Sequence, residues 1–119
     1  MKTGVLTRAD GTTVVAEPAW LAASLWEQTR GLLGRPRLQM GQALIIPTQG
    51  VHTWMMTYPI DLVFVDRAWT VLLTQPEWPP WRMGPYRQAA RYVVELPPGA
   101  LSERPCREGE QLVWREAAR

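Results

Sequence analysis

His52 is the only histidine of the chain, and it sits in the stretch GVHTWMMTYPID, residues 50–61. Imidazole titrates near neutral pH, so a histidine close to a carboxylate is a candidate general base. Asp61 lies beyond the Thr-Tyr-Pro turn and can accept a hydrogen bond from the ring. The two would make two-thirds of a triad, but no nucleophile completes it. Ser24 and Ser102 are the only serines, and Ser24 is better used as a helix cap. Cys106, the only cysteine, has no motif around it. In an extended strand His52, Trp54 and Met56 share one face, and Val51, Thr53 and Met55 the other. The first of these faces is bulky enough to be core or to line a pocket. A structural or binding role for His52 and Asp61 is preferred to a catalytic dyad.

Two further groups bear on chemistry. Arg30 and Arg35 flank the end of an expected helix. Arg35 can satisfy the last helix carbonyls and pair with Asp61 or Glu95, or it can reach an anionic ligand group. The second group is Trp78, Trp81, Arg82, Tyr86, Arg87 and Arg91, where rings and guanidinium groups interleave. Such a run can stack on bases and neutralise phosphates, or anchor a protein partner. Glu77 interrupts it and the formal net charge is only +2, which weighs against nucleic acid. One His, one Cys and no His-x-His or Cys-x-x-Cys spacing fall short of a zinc ligand set. Neither a metal nor a cofactor is expected.

The elements that must hold these residues are short. The chain has 119 residues, 46% of them apolar and 20% charged, the composition of one globular domain over 1–119. The basic residues are twelve Arg and one Lys. The N-terminal residues lack the apolar run of a signal peptide, and no window holds the ~20 apolar residues of a membrane span. A cytoplasmic protein without membrane contact is the expectation. TGVLTRADGTTVVAE reads as a hairpin turning at Asp10-Gly11, and AWLAA as a third extended piece. Ser24 and Glu27 have capping-box spacing, and Leu25, Trp26, Thr29, Leu32 and Leu33 lie near helical spacing before Gly34. One helix is therefore expected at about 24–33. QALIIP, VHTWMM, IDLVFVD, WTVLLTQ, AARYVVEL and EQLVWR read as strands, with IDLVFVD apolar on both faces. QPEWPPWRMGP, with four prolines, reads as a long loop.

RGLLGR (Arg30 to Arg35), VHTWMMTYPIDLVFVD (Val51 to Asp66), YVVELPPG (Tyr92 to Gly99) and Gly109-Glu110 occur in the order seen in a known family. With them the chain, from about Ala22 to Trp114, resembles the domain-of-unknown-function 192 family, in its histidine-bearing branch. Leu33 stands where many relatives have Met. Thr48 stands where some histidine-bearing relatives have Cys, which removes a Cys/His pair at this hairpin. The resemblance implies a compact, mostly β fold with one helix and no established activity.

The resulting expectation is an α+β, mostly β domain: an antiparallel barrel or two-layer sandwich of about seven or eight short strands with one helix. Its function is read as binding or accessory rather than enzymatic. A cleft at the hairpin is lined by His52, Trp54, Met56 and Asp61 with Arg35 and Glu95 nearby, and takes a small or anionic ligand. The alternative is a hydrolase-like enzyme with His52 as general base oriented by Asp61. The third reading gives single-stranded nucleic acid or a protein partner to residues 76–91, through Trp78, Trp81, Arg82 and Arg87.

Overall fold

A computed structural model of the chain describes residues 1–22, 37–54 and 56–117. The helix expected at 24–33 lies outside them, as do Arg30 and Arg35. The strands are β1 (Lys2–Arg8), β2 (Val14–Leu21), β3 (Ala43–Ile46), β4 (Gly50–His52) and β5 (Ile60–Val65). They continue with β6 (Val71–Trp78), β7 (Met83–Tyr86), β8 (Tyr92–Leu96) and β9 (Leu112–Glu116). A short helix, α1, spans Ala100–Glu103. The fold is thus α+β and mostly β. Nine strands are described rather than seven or eight.

The expected hairpin forms between β1 and β2. Asp10 caps its turn by accepting from the amides of Thr12 and Thr13 and from the Thr13 hydroxyl. Led by that hydroxyl, these bonds hold the Asp10 carboxyl down at about 2. β2 then runs on through a cis Glu17–Pro18 bond to Leu21, absorbing the piece expected to be separate. Seven strands form one sheet in the order β6-β5-β8-β3-β2-β1-β9, and β4 and β7 form a separate ribbon. The all-antiparallel expectation fails at one place: β2 and β3 are parallel. The connection from Ala22 to Gln42 gives the crossover length that a parallel pair needs.

The large sheet curls until its two outer strands approach each other. A bridge joins Thr70 to Gln111, and the amides of Val71 and Leu112 donate to Glu110 and Trp69 at 2.8 and 2.9 Å. An Arg8–Glu110 ion pair of 2.6 Å ties β1 to the segment before β9. The result is a partly closed barrel, with one core inside the curl and another outside. Leu6, Ala19, Ile45, Val63, Val65, Val94, Leu96 and Leu112 belong to the inner cluster. Met56, Ile60, Leu62, Phe64, Ala90 and Val93 form the outer one, with Val51, Tyr58 and Trp78 packed against it. β5 is buried at all six positions because alternate residues enter the two clusters. That is the two-faced apolar strand read from IDLVFVD.

The stretch read as a long loop is mostly strand. β6 continues through Gln75-Pro76-Glu77 to Trp78, which an edge strand tolerates because a missing N–H there breaks no inner ladder. Residues 83–86 return as β7.

Candidate binding surface on the ribbon

The β4–β7 ribbon lies over the outer core cluster. Val51 packs against that cluster, so strand alternation turns Gly50 and His52 away from it. In the ribbon His52 stands opposite Met83, and Gly50 opposite Tyr86. The two strands approach closely enough to require glycine. A Cβ on Gly84 would come within 2.6 Å of the Val51 carbonyl oxygen and 2.5 Å of a Val51 methyl carbon.

Thr53, fully buried, anchors the turn that faces the end of β4. Its amide donates to the Arg82 carbonyl at 2.9 Å, and its own carbonyl accepts from Trp81 at 2.8 Å. Its hydroxyl donates to Pro79 at 2.6 Å and accepts from the Arg82 amide at 3.0 Å. These bonds hold the Pro79–Arg82 turn against β4, with Trp81 at φ 60. A left-handed backbone is uncommon for a bulky residue and persists only where its surroundings impose it. The imposed conformation puts Trp81 in solvent, edge-on to Trp54 with ring centroids 6.5 Å apart. The Trp54 indole N–H in turn donates to the Met83 sulfur at 3.3 Å.

Among the described residues five large apolar side chains are exposed, and four of them sit on this ribbon and its turns. Trp54, Trp81, Met83 and Tyr86 keep between 47% and 72% of their surface in water, and the fifth, Met40, lies elsewhere in sequence. His52, Arg82 and Arg87 are exposed among them. A set of exposed apolar side chains with polar neighbours is uncommon on a folded surface, and this makes the ribbon the candidate site.

The residues expected to line one cleft are distributed over three places. His52 and Trp54 are on the exposed ribbon face. Met56 is buried in the outer core cluster instead of beside them, because β4 ends at His52 and strand alternation stops there. Asp61 is wholly buried and faces the inside of the curl, by its alternation with Val63 and Val65. It accepts from the amides of Glu77 at 2.8 Å, Leu101 at 2.9 Å and Gly99 at 3.4 Å. The sheet therefore stands between Asp61 and His52. Asp61 pins α1 and the bulge of β6, where Glu77 has φ 48, instead of orienting the imidazole. The His52 imidazole makes no hydrogen bond to another described residue, and the carboxylate of Asp61 is taken up by the three amides, so the two are not brought together as a general-base pair.

Glu95 is also buried, on β8 between Leu44 and Leu62. Burial without compensating solvent raises its carboxyl to about 7. Desolvation raises the Tyr58 phenol; Arg37 acts the other way, and Glu95 adds a smaller rise. The Arg37 guanidinium lies 4.1 Å over the Tyr58 ring. Trp78, from the expected loop interface, packs half-buried against the outer core. Arg35 lies outside the described residues.

Thr53, Met83 and Tyr86 are the ribbon residues to which the sequence assigns no site role beyond Tyr86's place in the aromatic run. Their signal is weak: Met83 and Tyr86 flank Gly84-Pro85, a pair that reads as loop, and Thr53 acts through bonds to a distant turn.

Comparison with known proteins agrees with the fold. Residues 5–114 match the domain-of-unknown-function 192 family, described as Uncharacterized ACR. A UPF0127 protein of Thermococcus sibiricus is 24% identical over 99 residues, covering 79% of this chain and 64% of its own length. The match thus spans less than two-thirds of that relative. A Sinorhizobium meliloti 1021 crystal structure, provisionally described as a transcription regulator, superposes with a TM-score of 0.75 at 21% identity, over 95% of this chain and 92% of the other. A protein of unknown function from Novosphingobium aromaticivorans DSM 12444 gives 0.74 at 20% identity, over 94% and 84%. At such identities the likeness concerns the fold. With the family match spanning nearly its whole length, the chain belongs to the domain-of-unknown-function 192 family.

Proposed function

We propose that this protein is a binding module whose β4–β7 ribbon docks a polypeptide segment. The observation behind this reading is the exposure of Trp54, Trp81, Met83 and Tyr86 on one ribbon whose turn is tied down by Thr53. Trp, Tyr, Met and Arg are the residue types enriched where protein interfaces concentrate their energy. The exposed Arg82 and Arg87 favour a segment that carries apolar side chains with acidic neighbours. His52 belongs to this surface as a polar contact; with Asp61 committed to backbone amides, a catalytic role for it has no support.

Peptides selected from a random library for binding to the wild-type chain provide the test. The double variant Trp81→Ser, Tyr86→Ser is expected to weaken their binding by about 30-fold or more, since each anchor contributes at least about 1 kcal/mol. Its melting temperature should stay near that of the wild type, because both rings are exposed. Unchanged affinity in the variant would refute the reading. Mixed single-stranded oligonucleotides provide the contrasting arm. Binding to them that exceeds peptide binding and falls steeply with salt would replace the polypeptide by nucleic acid.

A further inference from the structure

We propose that His52 and Met83 form a surface site for a soft monovalent cation of the copper(I) or silver(I) class. The site shares His52 and Met83 with the proposed docking surface, but its argument rests on their donor atoms and does not depend on peptide docking. Its donors are an imidazole nitrogen and a thioether sulfur, both neutral. Soft, low-charge metal ions favour such donors, whereas hard cations such as calcium and magnesium favour carboxylate oxygens.

The two residues are cross-strand partners at the end of the ribbon, one step beyond a register irregularity between Gly50 and His52. Side chains opposite one another on an antiparallel pair point to the same face with Cβ atoms about 5 Å apart. An imidazole and an unbranched thioether can both reach a common point above such a pair. Gly84 contributes by letting the strands close on Val51 beside this step.

Both donors are available. Among the described residues Met83 is the most exposed large apolar side chain, at 72%, although a thioether gains nothing from water. Its one hydrogen bond is from the Trp54 indole at 3.3 Å. That bond uses one sulfur lone pair, keeps the sulfur on the ribbon and leaves the second lone pair free. The same contact brings the Trp54 indole next to the sulfur, with Trp81 behind it. Charge selects in the same direction: both donors are neutral, so a monovalent ion leaves one charge uncompensated where a divalent ion leaves two.

The test uses the full chain with Cys106→Ala, which removes the competing buried thiol. Silver(I) in chloride-free buffer serves as the redox-inert probe, and copper(I) is added anaerobically against a chromophoric chelator. His52 is the only histidine, so its imidazole NMR signal needs no further assignment, and Met83→Leu identifies the Met83 methyl signal. One equivalent of silver(I) should shift both signals, and zinc(II) at the same concentration should leave them in place. His52→Gln and Met83→Leu should each weaken silver(I) and copper(I) binding by at least about 10- to 100-fold, with unchanged melting temperature. Equal affinity in either variant, shifts confined to other methionines, or an equal response to zinc(II) would overturn the proposal. None of these outcomes bears on peptide binding, which is measured without metal.

Discussion

At the scale of single residues, the two that looked like partners in sequence do unrelated work. Asp61 is an organiser: one carboxylate collects three backbone amides from β6 and the start of α1. Its need for partners was legible, since a buried acid must be satisfied, but the partners were not. Backbone donors leave no trace in the sequence, and the visible candidates were the imidazole of His52 and the guanidinium of Arg35. Asp61→Ala should therefore cost about 2–4 kcal/mol, because it strands buried amides rather than merely deleting a bond. Chemical denaturation would show this as a lower midpoint. His52→Ala, on the exposed ribbon face, should leave stability within about 0.5 kcal/mol of wild type. Equal losses from the two substitutions would mean that they act as a pair after all.

At the scale of elements, the sequence was most readable where one physical signal dominated. Asp10-Gly11 marks a tight turn, and IDLVFVD is apolar on both faces apart from Asp61 and the terminal Asp66; both became what they suggest. It was least readable where Pro and Gly sit in edge or ribbon strands. Pro76 lies in β6 and Gly84-Pro85 in β7, and local propensity says loop at both. The ribbon exists because Val51 and its neighbours cover the outer core, a tertiary gain that propensity does not register. Gly84 is its tightest point. Gly84→Ala should force β7 away from β4 and cost about 1–3 kcal/mol by overpacking. It should also release the Trp54–Trp81 contact, read as altered tryptophan near-ultraviolet circular dichroism. An unperturbed spectrum with wild-type stability would show that the ribbon has slack at this point.

At the scale of the whole molecule, the fold holds a carboxyl in its outer layer against solvation. Glu95 ionises near 4.5 when unfolded and near 7 when folded. Between these values the unfolded chain has released a proton that the folded chain still holds. Stability therefore falls as pH rises through this window and levels off above it, by on the order of 3 kcal/mol from this group. Asp10 acts in the opposite sense, its contribution fading only as pH falls toward 2. Glu95→Gln should remove the decline, as measured by denaturant unfolding at a series of pH values across the window. A slope that persists in the variant would assign it to another group. The two-layered burial that produces this effect also bears on the proposed site: with both faces of β5 committed to cores, the exposed apolar side chains of this layer are those of the ribbon laid on top. The most direct measurement of the docking proposal places a photo-reactive phenylalanine at Tyr86, and for comparison at the exposed Glu108 in the turn before β9, in the cell of origin. The ribbon account predicts a discrete adduct with a polypeptide from position 86 that disappears with Trp81→Ser and is missing from position 108. The same adducts from both positions, or adducts from 86 that are indifferent to Trp81, would contradict it.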